Sequence, residues 1–377
     1  MSHVHVCLVS GQPIPNLIPL KIKELSPEKV VLLVSPDMKV QAERIEGVIK
    51  SWHVDIERYP IAPFDLESAR DTCLDILSKF DDEEVILNVT GGTKIMALAA
   101  FEVFREMKKP ILYVDTQNRE IQRIHHTSEK LAFESVLKIK PYLASYGQKI
   151  IDEDTDEQRV SRHSSVISIF LRDISKYERS IGIMNKYSAP LRNVRTFPYE
   201  TKKIERQDLS KPYFEEIFGL LQKQNIIKYK NSKIIFSKHH DVDFISGGWL
   251  EEYVYSIVKK ISPYDVKMGV KVEWDQKGPE PPTNEYDVIF TMKNRLYIIE
   301  CKTKRFEGED REQTSADPIY KLDSLRDAAG GLFGKGMLVS YRKLTADQKK
   351  RLKANKLDYC DGPNLNNLNQ KIREWVK

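Results

Sequence analysis

The chain has 377 residues, 41% hydrophobic and 31% charged, with 17 Gly and 18 Pro. That composition excludes wholly disordered, collagen-like and low-complexity chains, and the length suggests about two or three domains. Net charge is +5, too small by itself to mark a nucleic-acid binder. Its distribution says more: net −2 over residues 1–150, +5 over 151–240 and +2 over 241–377. A basic middle suits a phosphate backbone, or a solvated helical surface. The longest apolar runs are short, such as Val30–Val34, whereas a membrane helix needs about 20 apolar residues. No basic-then-apolar segment follows Met1, so neither a membrane span nor a secretory signal is expected. Cys7, Cys73, Cys301 and Cys360 are far apart, which fits a reducing cytoplasm better than disulfides or a cysteine metal site.

Strand-like runs open the chain at Val4–Ser10, Lys29–Ser35, Val54–Tyr59, Val85–Val89 and Ile111–Asp115. They are short and almost continuously apolar, as strands covered on both faces are. Segments of helical length separate them at Met38–Trp52, Phe64–Phe80 and Ile95–Lys108. This alternation predicts an open, mostly parallel α/β sheet. Arg119–His125 is expected to add a hairpin strand.

Between the fourth strand and the next helix stands Thr90-Gly91-Gly92-Thr93-Lys94. Two glycines, two hydroxyls and a lysine at a helix N-terminus suit an anionic ligand, because backbone N–H groups face it and glycine permits close approach. The spacing is neither a P-loop nor G-x-G-x-x-G. In a parallel sheet this loop gathers with Ser10-Gly11-Gln12 and Thr116 at the carboxyl ends of the strands.

The acidic run Ile150–Glu157 reads as a linker. Residues 160–240 read as mainly helical. Within them, a helix at Tyr213–Gln222 precedes a hairpin, Ile226–Lys230 and Lys233–Ser237, a candidate winged-helix fragment. His239-His240-Asp241-Val242-Asp243 reads as a polar linker. The expected domains are 1–148, a connector over 149–240, and 241–377.

From Gly247 the order changes to a helix (Trp249–Lys260), strands (Val266–Trp274, Glu285–Thr291, Arg295–Thr303), a helix (Pro318–Ala329), a strand (Lys335–Tyr341) and helices around Thr345–Lys356 and Asn366–Val376. That is the order of an α/β nuclease core. A turn centred on Lys293-Asn294 sets Met292 against Arg295. Carrying the register back sets Asp287 opposite Glu300, and Glu285 opposite Lys302. Opposite residues share a face, with Cβ atoms roughly 4.5–5.5 Å apart. Two acids and a lysine thus meet at the end of an apolar hairpin face. Paired buried acids call for a cation, and Mg²⁺ or Mn²⁺ prefers such oxygen ligands. Asp287, Glu300 and the Cys301 backbone carbonyl are the expected metal ligands. Lys302 is expected to orient or help deprotonate the attacking water, or to stabilise the pentavalent phosphorus. Arg311, Lys321 and Arg326 are candidates for phosphate contact.

Asp287, Glu300 and Lys302 resemble the D…(D/E)-x-K core of the PD-(D/E)xK nuclease superfamily, except that Tyr286 stands where the proline would be. The helix after Gly247 resembles the one that supplies that superfamily's further glutamate, here Glu251, with Glu252 as the alternative. The N-terminal half is similar to CARF (CRISPR-associated Rossmann fold) domains: Thr90-Gly91-Gly92-Thr93-Lys94 matches their second ligand segment and Ser10-Gly11-Gln12 their first. The resemblance implies a Rossmann-like CARF domain joined by a helical connector to a restriction-endonuclease-like α/β domain. It further implies a cytoplasmic homodimer, activated by cyclic tetra-adenylate, that cuts single-stranded nucleic acid or nicks duplex DNA with a divalent metal in type III CRISPR defence. The net negative first half implies that effector binding rests on backbone N–H groups and Lys94, doubled by symmetry.

Overall fold

The computed structural model describes residues 3–125, 129–276, 280–303 and 318–377; Arg311 lies outside them. Seven strands make the first sheet: β1 (His3–Leu8), β2 (Lys29–Val34), β3 (Asp55–Pro60), β4 (Glu84–Asn88), β5 (Ile111–Asp115), β6 (Glu120–Arg123) and β7 (Lys130–Ala132). Their order is β3-β2-β1-β4-β5-β6-β7. The first five are parallel, and β6 and β7 run antiparallel at one edge. Alternate residues of β1 feed two cores. Val4, Val6 and Leu8 pack with the helices Leu66–Lys79 and Lys94–Glu106, and Cys7 packs with the helix Lys39–Lys50. Coverage on both faces is why these strands read as unbroken apolar runs. The chain winds outward one way through β2 and β3 and the other way through β4 and β5. The point of reversal therefore lies between β1 and β4, where such sheets open a ligand crevice.

The connector holds the helices Glu157–Arg172 and Ile174–Ser188, strand β9 (Tyr199–Glu200), the helices Arg206–Leu209 and Phe214–Lys223, and the hairpin β10 (Lys228–Lys230) and β11 (Lys233–Phe236). The strands lie in the order β10-β11-β9, all antiparallel. Helix, strand, two helices and a hairpin in this strand order make a complete winged-helix arrangement. Only its helix and hairpin were legible in the sequence, because β9 is two residues long.

The second sheet has the order β16-β15-β14-β13-β12-β8. Its strands are β8 (Gln148–Asp152), β12 (Asp265–Trp274), β13 (Thr283–Met292), β14 (Arg295–Lys302), β15 (Gly334–Ser340) and β16 (Asp358–Asp361). The acidic run expected as a linker is instead an edge strand followed by a helix cap. β8 pairs antiparallel with β12, and Asp156 Oδ1 accepts from Arg159 N at 3.0 Å to open the next helix. An edge strand keeps one flank in water, so it tolerates acids that a central strand would not. The β13–β14 turn has φ of +55° at both Lys293 and Asn294, the backbone of a type I′ hairpin. Its ladder runs in the expected register from Met292/Arg295 to Val288/Ile299 and stops there. Beyond that point β14 stays with β15, and β13 stays with β12, where Glu285 faces Lys271. The expected pairs Asp287–Glu300 and Glu285–Lys302 are therefore replaced by a splay. Among the described residues no helix is long and apolar enough to cross a membrane.

Candidate functional site

The splay gives Asp287 its role in the geometry. Freed from a cross-strand partner, its Oδ2 accepts from the Cys301 N–H at 2.6 Å. Glu300 is 1% exposed, and its Oε1 lies 2.5 Å from Lys302 Nζ and 3.6 Å from Lys321 Nζ. Burial, then the Glu300 charge, push Asp287 up to about 7 against the pull of Lys302 and the Cys301 N–H. Glu251, on the helix Trp249–Lys259, feels the same spot. Burial, then Asp287 and Glu285, push its carboxyl well above the usual range. Burial works against the charge of Lys302, but Glu300 and Asp287 carry its pKa above the ordinary value. Lys302 is therefore a fixed cation here rather than a base. Burial also drives the Cys301 thiol far up, so its side chain is no nucleophile.

The two helix glutamates differ in their neighbours. Glu252 is 3% exposed and is fully engaged elsewhere: Arg159 Nε donates to its Oε1 at 3.1 Å, and His163 Nδ1 lies 2.8 Å from its Oε2. Glu251 is the glutamate that shares a site with Asp287. Arg326 is spent on Asp323, Asp327 and the Asn355 carbonyl, which leaves Lys321 as the described cation of that helix beside the acids.

Two residues that sequence reasoning missed hold this corner together. Asn185 Nδ2, from the connector helix, donates to Ser246 O at 2.8 Å and to Thr303 Oγ1 at 3.3 Å. It thereby ties the start of the Glu251 helix to the end of β14. Gly247 makes the approach possible: its φ is +129°, and a Cβ there would sit 2.7 Å from Thr303 Oγ1. We expect Gly247→Ala to cost about 1–3 kcal/mol of stability through backbone strain, read as a lowered melting temperature, and to slow any chemistry at the site by misplacing Glu251.

At the other end of the molecule the glycine loop meets the end of β1. A Cβ on Gly91 would lie 2.1 Å from Leu8 O, and Gly92 has φ +74°, so both positions require glycine. Thr93 caps the helix Lys94–Glu106, accepting from Met96 N at 3.2 Å, and Lys94 is exposed. Ser10 Oγ lies 3.3 Å from Gln12 N. Thr116, half-buried, follows the Asp115 turn. Ser10 to Gln12, Thr90 to Lys94 and Thr116 thus gather at the strand ends as expected, but the Thr90 hydroxyl works internally. It donates to Asn88 Oδ1 at 2.7 Å and accepts from Val114 N at 2.8 Å. Asn88, buried, stitches the loops together by donating to Pro15 O and Asn16 Oδ1. Its only sequence signal is a polar residue inside an apolar strand. Gln12 faces the other domain as well. Its Oε1 accepts from Tyr146 Oη and from Leu332 N, each at 3.2 Å.

Residues 4–142 match the family model described as "Card1 CARF domain", and residues 238–377 match "Card1-like, endonuclease domain". Among solved structures, Can2 from Sulfobacillus thermosulfidooxidans, in complex with cyclic tetra-adenylate, is 31% identical, covers 100% of this chain and 99% of its own, and superposes with a TM-score of 0.81. Protein VC1899 from Vibrio cholerae shares the fold, with a TM-score of 0.88 at 22% identity over 99% and 98% of the two chains. A type III CRISPR defence DNA nuclease activated by cyclic oligoadenylate has a TM-score of 0.56 at 15% identity, over 92% of this chain and 46% of that one. No curated protein matches by sequence.

Proposed function

Because the chain belongs to the Card1-like family of CARF-domain endonucleases, we propose that it is a metal-dependent endonuclease switched on by cyclic tetra-adenylate in type III CRISPR defence, working as a cytoplasmic homodimer. The observation that carries this reading is the meeting of Asp287, Glu300, Lys302 and Glu251 at one largely buried corner. The 31% identical Can2, crystallised with cyclic tetra-adenylate, supports that ring size for the activator. Ser10, Gly11, Gln12, Gly91, Gly92, Thr93, Lys94 and Thr116 are the residues we assign to its binding, with Thr90 bracing the loop.

A divalent cation fits the acid corner. Asp287 and Glu300 meet there with Glu251 near enough to feel their charge, and burial with mutual repulsion holds Asp287 and Glu251 above their usual range, a cost that a bound cation removes. Among the described residues no three His, Cys, Asp or Glu side chains are grouped to hold a metal between them. The ligands would accordingly be Asp287, Glu300 and the Cys301 carbonyl, with water completing the shell as Mg²⁺ and Mn²⁺ prefer. Bound there, the ion supplies a water of lowered pKa and polarises the phosphoryl oxygen. Lys302, held charged by Glu300, stabilises the negative charge that grows on phosphorus. Glu251 faces the same point and orients the attacking water.

The test is cleavage of supercoiled plasmid, single-stranded DNA and single-stranded RNA, with and without Mn²⁺ and cyclic tetra-adenylate. Cleavage that needs both is the expected result, and the substrate cut assigns specificity. Cleavage without the activator would mean an ungated nuclease. Activator binding without any cleavage would mean a regulator. The two helix glutamates separate in a second measurement. Glu252→Ala takes one of two carboxylate partners from Arg159 and leaves His163 Nδ1 without its acceptor, and is expected to cost about 1–3 kcal/mol, whereas Glu251→Ala leaves the melting temperature unchanged or raised.

A further inference from the structure

A cleft of about 730 Å³ reaches the acid corner at Glu251, with Glu285 also among its lining residues. The connector contributes Arg192, Arg195, His239 and His240 to the same lining. This stretch of the lining is ordered. Asp243 receives Arg192 Nε at 3.3 Å and His239 Nδ1 at 2.9 Å, and His239 Nε2 lies 3.1 Å from Arg192 O. The segment expected as a polar linker is thus a short helix, His239–Asp243, pinned from behind where Asp241 takes Arg162 at 2.6 Å.

Charge in the cleft is unevenly balanced. Asp154 is neutralised by Arg159, Asp152 pairs with Lys271 and Glu153 with Lys267. Arg192 pairs with Asp243 and Arg159 also with Glu252, which leaves Glu251, Glu285 and Arg195 as the unpaired charges of the lining among the described residues. Arg195 is exposed and has no ion pair among the described residues, and the Arg192 charge is felt at Glu251. An unpaired guanidinium, with Arg192 beside it, in the same cleft as a cation-seeking glutamate suits a phosphodiester, whose negative charge Arg195 would meet directly and a cation held at the acid corner would meet as well.

We propose that the connector is part of the substrate site, with Arg192 and Arg195 holding the phosphate backbone of the bound strand against the acid corner. This rests on the endonuclease reading and adds to it the residues that grip the substrate. Neither arginine touches the reacting phosphorus in this assignment; both are positioning residues.

The test uses the full chain carrying Asp287→Ala, with activator present, and fluorescein-labelled single-stranded DNA and RNA followed by anisotropy across salt concentrations. Adding Arg192→Ala and Arg195→Ala is expected to weaken binding about 10- to 100-fold. The salt slope should flatten by about 0.7 for each phosphate that is no longer neutralised, and Arg→Lys at both positions should restore part of the affinity. In the chain with Asp287 intact, the arginine pair should raise KM while kcat changes little. Unchanged melting and activator affinity verify that the variants fold. If the parent binds and the arginine variants bind equally well with the same slope, the proposal is overturned and the endonuclease reading stands. If the parent binds no nucleic acid, the endonuclease reading falls and the proposal with it.

Discussion

Asp287→Ala, Glu300→Ala and Lys302→Ala each abolish cleavage, by at least about 10²–10³-fold, while cyclic tetra-adenylate binds as tightly as to the parent chain. The two halves of the result come from geometry. The three side chains sit at the splayed ends of β13 and β14, in the domain that does not carry the glycine loop. A gel-based cleavage assay beside titration calorimetry with the activator checks both, and retained cleavage in any of the three would overturn the site. A pH measurement sharpens the result. The folded-state pKa of Asp287 stands at about 7 against an ordinary 3.8. The native protein therefore holds a proton that the unfolded chain gives up, and without metal it loses stability as pH rises from about 4 to about 7. At three units the loss is at most about 4 kcal/mol. Asp287→Asn should flatten that slope, and saturating Mn²⁺ should reverse it in the parent chain alone.

Much of this site was legible because a two-residue turn fixes a hairpin's register. Lys293-Asn294 sets the pairing that brings Asp287 and Glu300 to the same end of the sheet, and the observed ladder follows it as far as Val288 and Ile299. What the turn cannot report is that the strands part at Asp287, because that depends on β15 and β12 competing for the two edges. The central strands of the first sheet, β1, β2 and β4, were equally legible, each being apolar on both faces, whereas the three-residue β7 was not. β8 and β16 were not, since edge strands of four or five residues carry charges that read as loop. Asn185, Asn88 and Arg192 act through tertiary neighbours more than 20 residues away in sequence. No local pattern announces them. The choice of Glu251 over Glu252 likewise needed the location of Arg159 and His163.

Tyr146→Phe separates effector binding from nuclease control, and the direction of its effect identifies the link between them. Gln12 lies in the segment we assign to activator binding, yet its Oε1 takes Leu332 N from the turn that follows the helix Pro318–Gly330. Tyr146 Oη braces the same contact, lying 3.2 Å from Gln12 Oε1 and 3.3 Å from Gly330 O. That helix carries Lys321 to within 3.6 Å of Glu300. On the proposed assignment of Gln12 to the activator, the path to the acid corner is one side chain, one turn and one helix. An amide oxygen already serving two donors is weakly available to a third, so an activator that recruits Gln12 competes with the turn. Breaking the contact from the nuclease side should then favour the activator. Tyr146→Phe keeps the ring stacked on Tyr142 and removes only the hydroxyl. Gly331→Ala breaks the contact sterically, since a Cβ there would lie 2.5 Å from Gln12 Oε1. Both variants are expected to bind cyclic tetra-adenylate more tightly and to cleave more without it. The two binding shifts should agree with the change in coupling, which for typical linked sites spans about 5- to 150-fold. Calorimetry and activator-free cleavage read the two sides. Weaker binding together with an absence of stimulation would mean that the Gln12 contact belongs to the active arrangement and transmits the signal rather than restraining it.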